Sequence, residues 1–474
     1  MSLAPDMTLR LDRGSDTPCA AGRPRIGLVL DHPRRDLHGL VLIALELAAA
    51  GATAVIIPQY GSWIDARLSK LDAIVYNYAR SNNIEPIRVL ARGGIDVFVL
   101  DTEGYLSSDK HAMLLEAVRR IDVAPWLQGY FVWGSAAGEA LAKSDLRLAP
   151  KLEVTGCPRF DLLAPRWRGT LKYERSGYVL LNPNFNGVNP LQSSPAEERN
   201  SMIRSGWEPA YLDRFLEDMR AGFAGFLELC ATLPRRLPHL SFVVRPHPFE
   251  LAEPYRKAVA GLPNVRLNTE GEVLPVLANA RRLVHFNCNT SVEARLLGLA
   301  PIQTGFLTTD FLRTHLPLYT GVSVLAHDID DLGRLLEDDR VLAARDSSAG
   351  ALDRWIRPAF HHCDGHAAER VARGLIARTR PREERVAPPE PQEADRLLKA
   401  RRTLKMALSR ALGTSALGLF RAMAKPDRRE KAFSLAEVES VVAKLSAHLN
   451  RPAPQVRRLR STWTGMPLLA IQIA

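Results

Sequence analysis

Short runs of branched and aliphatic residues recur along this chain with helical patterns between them, and the alternation occurs twice. RIGLVL (25–30) leads to HGLVLIALELAAAG (38–51), a helical pattern that a glycine stops. TAVIIP (53–58), LDAIVYN (71–77), IDVFVLD (95–101), GYFVWG (129–134) and KLEVTG (151–156) follow. Such runs are apolar throughout, so both faces of each strand must be covered. That requirement implies parallel sheets flanked by helices. The pattern resumes at YVLLNPN (178–184), with a long amphipathic helix at 210–233. LSFVVRP (240–246), NVRLN (264–268), a helix at 273–280, RLVHFN (282–287), APIQTG (300–305) and GVSVLAH (321–327) complete it.

The expected fold class is α/β, with two Rossmann-like domains facing across a cleft and a C-terminal helical basic tail. At 474 residues the chain is too long for one ordinary core. The boundaries read as a disordered N-terminus (1–24), a first domain (25–165), a second domain (177–375), a Pro- and charge-rich linker (380–396) and the tail (397–474). The stretch 163–177 lacks periodicity and is the interdomain linker candidate. Residues 39–58 mimic a membrane span, but Glu46 interrupts them and Gly51 splits them into a helix and a strand.

Composition narrows the setting. The apolar fraction of 46% suits a soluble protein. Cys19, Cys157, Cys230, Cys288 and Cys363 are scattered and form no CxxC, so a reducing compartment is expected and no metal site. The first residues lack an apolar h-region, so no secretory signal is expected. The net charge is +11, and +9 of it lies in 396–431, where Lys and Arg alternate with Leu, Met and Phe. That is the pattern of a basic amphipathic helix on an anionic membrane surface. Phe420 is the one aromatic residue there, so nucleic acid is not the expected partner.

Ligands of doubly wound sheets bind beyond the carboxyl ends of the strands. The polar motifs fall there. In FVVRPHPFE (242–250), Arg245 and His247 each precede a proline, which holds both backbones extended. A guanidinium and an imidazole so placed suit a phosphate, or equally a strand-end arginine with a satisfied histidine. In HFNCNTSVEARLLG (285–298), Asn289, Thr290 and Ser291 open a helix whose first turn holds Glu293. They read as helix caps or as phosphate ligands, and Glu293 as a ribose ligand or a dipole-compensating acid. In VLDTEGY (99–105), Asp101, Glu103 and Gly104 follow a buried strand, and either carboxylate could serve as a general base. Arg159 and Asp161 in VTGCPRFDLL (154–163) read as a turn with an Arg–Asp pair or, for Arg159 together with Gly104, as lining of the cleft. Asn184 and Asn186 line the cleft or form a turn.

Taken together, FVLDTEG, FVWG, VTGCPRFDLL, LLNPNFN, VVRPHP, NTSVEARLLGLAPI and DGHAAERVA, in that order over residues 25–375, resemble the bacterial surface carbohydrate biosynthesis protein family. The set is similar, more distantly, to bacterial sialyltransferases and Kdo transferases. The resemblance implies a GT-B-like glycosyltransferase of capsule or lipopolysaccharide synthesis, working without metal or cofactor on a nucleotide-sugar, CMP-linked by the same resemblance. The acceptor would be a saccharide or a lipid-linked saccharide at the cytoplasmic face of the inner membrane. It places His247 and Pro248 on a nucleotide-contacting HP motif, Thr290 and Ser291 on a phosphate-binding pair, and Asp101 or Glu103 on the base. The competing readings are a nucleotide-sugar epimerase, a polyol-phosphate transferase resembling CDP-glycerol enzymes, and a non-catalytic envelope assembly factor.

Overall fold

A computed structural model describes residues 23–59, 62–102, 118, 121–171, 177–204, 207–315, 317–380, 396–397, 399–401, 403–404, 432–460 and 467–474. The first alternation forms β1 (Arg25–Leu30), β2 (Thr53–Pro58), β3 (Ala73–Tyr76), β4 (Asp96–Leu100), β5 (Gly129–Val132) and β6 (Leu152–Val154). They pair in parallel in the order β2-β1-β3-β4-β5-β6. The second forms β7 (Tyr178–Asn182), β8 (Phe242–Val244), β9 (Val265–Leu267), β10 (Ala280–His285), β11 (Pro301–Thr304) and β12 (Val324–Ala326). Their order is β12-β11-β10-β7-β8-β9, again parallel. Two Rossmann-like domains are therefore present. Residues 39–58 divide at Gly51, whose φ of 83° ends the helix α1 (Pro33–Ala49) before β2. No described helix is long and apolar enough to cross a membrane.

The C-terminal region departs from the expected helical tail. A helix, Leu435–His448, starts at a capping box between Ser434 and Glu437. A hairpin of β13 (Val456–Arg460) and β14 (Pro467–Ile473) follows, and β14 pairs antiparallel with β2, Ile471 opposite Ile56. The physical reason is edge protection. Ala54–Ile57 of β2 are apolar, and left as an edge the strand would expose a hydrophobic ladder. Leu468, Ala470, Ile471 and Ile473 are buried against it. Residues 405–431, most of the basic segment, lie outside the described residues. Lys399, counted among its bases, is 1% exposed and bonds Asp65, so it faces the first domain and not a membrane.

The chain also returns to the first domain earlier than the expected boundary at 375. The helix Ala367–Arg378 packs on α1 through Val371, Ala372 and Leu375. Asp161, 2% exposed, closes its N-terminus, accepting from the Ala367 N–H at 2.9 Å and the Ala368 N–H at 2.8 Å. Asp161 thus caps a helix and does not pair with Arg159. Arg370 of that helix donates to the Thr155 carbonyl at 2.7 Å, and the Trp167 indole donates to the Gly365 carbonyl at 3.0 Å. The expected linker at 163–177 is consequently packed in its first half: Leu163, Ala164, Trp167 and Leu171 are buried. Gly134 makes the crossing possible, because a Cβ there would lie 2.1 Å from the Pro358 carbonyl oxygen.

Losing a helix cap costs about 0.5–2 kcal/mol, and a buried cap belongs at the upper end. Asp161→Ala should therefore lower the chemical denaturation midpoint, and Asp161→Asn, which keeps one acceptor, should lower it less. Equal midpoints for wild type and Asp161→Ala would show that the cap does not stabilise the fold.

Candidate active site between the two sheets

The carboxyl ends of both sheets face one cleft, and three contacts cross it. Arg34 Nη1 reaches the Thr269 carbonyl at 3.4 Å, His38 Nδ1 lies 3.2 Å from Glu272 Oε1, and the rings of His32 and Phe249 meet edge-on at 5.4 Å. β1 ends in the run DHPRRD (31–36), where Arg35 bonds Asp31 at 2.6 Å and Asp36 at 2.8 Å. Motif reading passed over this run. Its His-Pro step repeats the one after β8, and the two histidines flank Phe249, with His247 5.3 Å from that ring.

His247 is held as a neutral donor. The Phe249 N–H donates to its Nδ1 at 3.3 Å, which assigns the ring proton to Nε2. Burial, then the nearby Arg35 and His32, push its pKa down to about 4. Arg245 does something else. Its guanidinium bonds the Asn268 side chain, the Glu270 carbonyl at 2.8 Å and the Gly271 carbonyl at 2.7 Å. Those donors tie the loop after β9 to the end of β8. Glu250, the last residue of the motif, also builds structure. It accepts from the Phe185 N–H at 2.9 Å, the His247 N–H at 3.2 Å and the Tyr255 hydroxyl, and burial pushes its carboxyl up to about 7. Pro248 is exposed beside it.

The β10 end places Asn289 as the N-cap of the helix Thr290–Leu296. Ser291 is fully buried and donates to the Cys288 carbonyl at 2.9 Å, so its hydroxyl serves the turn. Asn184 likewise donates to the Asn287 carbonyl at 2.9 Å, joining the ends of β7 and β10, while Asn186 sits half-buried in a turn. Thr290 is buried. Glu293 is 5% exposed, and its Oε2 has no hydrogen-bond partner among the described residues; neither has Asn287 Oδ1. Burial raises the Glu293 pKa and the field of Arg159, from the opposite domain, lowers it.

On the first domain, Asp101 is buried, paired with Arg80 at 3.0 Å, and accepts from the Tyr130 hydroxyl at 3.4 Å. Glu103 and Gly104 lie outside the described residues. Asp101 lines a small recess, about 40 Å³ in volume and open to solvent, between α1 and the ends of β1, β3 and β4. Arg159 closes one side, its guanidinium 5.5 Å from the Trp133 ring and 5.2 Å from the Phe160 ring. Gly39 lets α1 approach so closely, since a Cβ there would lie 2.9 Å from the Arg159 nitrogen. Asn77, at the end of β3, lines the same recess and was not singled out by any motif. Of the expected residues, Asp101 is engaged by Arg80 and Tyr130 at the recess that Arg159 closes, and Glu293 keeps an oxygen unpaired among the described residues. Arg245, Ser291 and Asn184 bond neighbouring turns.

No family model matches the chain, and no curated protein matches it. Solved structures do. A Listeria monocytogenes structure assigned as a UDP-N-acetylglucosamine 2-epimerase has a TM-score of 0.50 at 12% identity, covering 78% of this chain and 100% of that one. The S. aureus MnaA–UDP co-structure has a TM-score of 0.47 at 12% identity, over 75% and 96% of the two chains. The wall teichoic acid polymerase TagF, in a variant soaked with CDPG, has 0.45 at 11%, over 75% and 88%. At such identities the likeness extends to the fold alone, and the chain shares with the Listeria structure a GT-B-like arrangement of two Rossmann-like domains.

Proposed function

We propose that this protein is a glycosyltransferase that moves a sugar from a nucleotide-activated donor to a saccharide or lipid-linked saccharide of a cell-surface polymer. One observation carries the reading: Glu293 and Asn287, each buried with an oxygen unpaired among the described residues, and the half-buried, neutral ring of His247 stand at strand ends of the second domain, with Arg159 of the first close enough for its field to act on Glu293. Glu293 is placed to accept from ribose hydroxyls. His247 Nε2–H and the Arg159 guanidinium meet the leaving phosphate, whose charge grows as the glycosidic bond breaks. Fixed donors aimed at developing charge stabilise the transition state more than the ground state. Asp101, oriented by Arg80 and Tyr130, takes the proton of the acceptor hydroxyl.

The reaction so written needs no resident cofactor or metal, and the nucleotide-sugar is a substrate. CMP-, CDP- and UDP-sugars are the donors to test, and nucleotide release with a saccharide acceptor is the readout. Nucleotide binding without release from any of them would leave a binding module and end the transferase reading. In the same proposal the remaining bases of 396–431 hold the enzyme at an anionic cytoplasmic membrane surface, where lipid-linked acceptors lie.

His247→Ala should weaken nucleotide binding by about 1–3 kcal/mol, measured by calorimetry with CMP, CDP and UDP. Unchanged affinity for every nucleotide that the wild type binds removes His247 from the site. Because burial lowers its pKa to about 4, the His247 ring is neutral above that pH, and its NMR signals should titrate near 4. Titration at the ordinary 6.5 would contradict the buried, neutral ring. Asp101→Asn should reduce kcat by roughly 10²–10⁴-fold with donor affinity nearly intact. Wild-type turnover in that variant places the base elsewhere.

A further inference from the structure

Asn77 is an unusual side chain to find at the end of a buried strand. It is 3% exposed, and neither its Nδ2 nor its Oδ1 has a hydrogen-bond partner among the described residues. Its backbone is well used, since its carbonyl accepts from the Thr102 N–H at 2.8 Å, so the amide is not needed to hold the turn. An unpaired buried amide destabilises the free protein, because its hydration is lost without replacement. Leucine at this position would avoid that cost. The amide lines the recess that also holds Asp101.

The surroundings define what would satisfy it. Leu40, Ile43, Val75 and Leu100 supply an aliphatic wall, and Trp133 adds an aromatic surface. A planar amide offers one donor and one acceptor side by side, which matches two adjacent hydroxyls of a sugar ring. Asp36, Asp101, Thr102 and Arg159 line the same recess, but a hydroxyl turned onto the aliphatic side would be buried without a partner, whereas a C–H face or a methyl group fits there. We propose that this recess binds the acceptor saccharide, that Asn77 recognises a pair of adjacent hydroxyls on it, and that the aliphatic wall selects a deoxyhexose over its fully hydroxylated parent. The inference rests on the transferase reading only in naming the bound sugar as acceptor. The recess and its selectivity stand on Asn77 and its neighbours alone.

The test uses the full chain, saturation-transfer NMR, and matched sugars: L-fucose against L-galactose and L-rhamnose against L-mannose. Transfer to the 6-deoxy member of at least one pair, strongest at its methyl and lost in Asn77→Leu, is the expected result. No transfer to any of the four, or transfer that persists in Asn77→Leu, overturns the proposal. Equal transfer to both members of a pair overturns the wall's selectivity. Asn77→Leu should at the same time raise the melting temperature by about 2–4 °C, as expected when an unpaired buried polar group is removed. A lowered melting temperature would mean that the amide serves the fold and would overturn its role as a ligand. Calorimetry with CMP, CDP and UDP on the same protein separates the two readings. Nucleotide binding without saccharide binding ends this inference alone, and saccharide binding through Asn77 without nucleotide binding ends the donor reading alone.

Discussion

The two hydrogen bonds from the Ala367 and Ala368 amides to Asp161 hold the molecule's most consequential crossing in place. A chain that builds one sheet after another needs a tie between them, or the cleft has no fixed width. Here the tie is a helix that leaves the second domain and lies on α1 of the first. Its amide terminus must be satisfied in a buried setting, and the Asp161 carboxylate does this where water is excluded. The same short segment, Pro158–Leu163, carries Arg159 towards Glu293. Closure of the crossing and delivery of a charge into the cleft therefore depend on one turn. Gly134 and Gly39 allow the two close approaches that this arrangement demands.

Burial then sets the electrostatics. The same desolvation drives His247 towards its neutral form and favours the protonated form of Glu293, while Arg159 opposes it at Glu293. A neutral imidazole donates without a net charge that would have to be desolvated again when a ligand enters. At Glu293 burial is the larger effect and the field of Arg159 the smaller, so its carboxyl lies above the ordinary carboxylate range. Preorganisation of this kind requires that the groups cannot turn away. Glu250 supplies that rigidity by tying the turns at Phe185 and His247 together.

Much of this was legible in the sequence, for a definite reason. Uninterrupted apolar runs can only be central strands, and their ends mark where side chains emerge. The positions of Asp101, His247 and Glu293 beyond strand ends were read in that way. Other features depend on partners far along the chain. Proline fixes the backbone of Arg245 but says nothing of where its guanidinium points, and its acceptors at Asn268, Glu270 and Gly271 belong to another loop. Asp161 finds its amides 206 and 207 residues away. Asn77 carries no motif, and its isolation emerges only when three strand ends come together. The closing hairpin had its signal in PLLAIQI (467–473), an apolar run like β2, but the neighbouring basic segment dominated the reading of that region.

Spent and unspent hydrogen-bonding capacity separates the polar residues of the cleft more sharply than motif membership does. Arg245, Glu250, Ser291 and Asn184 all sit at strand ends in conspicuous motifs, and each makes hydrogen bonds that hold turns together. Asn77 and Asn287 sit in the same ring of strand ends with amide atoms unengaged, and Glu293 has a free carboxylate oxygen. Buried polar groups that the fold does not satisfy cost stability, so their presence calls for a cause outside the fold. They belong to both domains, Asn77 to the first and Asn287 and Glu293 to the second. A ligand confined to either domain would answer only half of them. Two ligand parts, or two ligands meeting between the sheets, answer both, and that is the arrangement a transfer reaction requires.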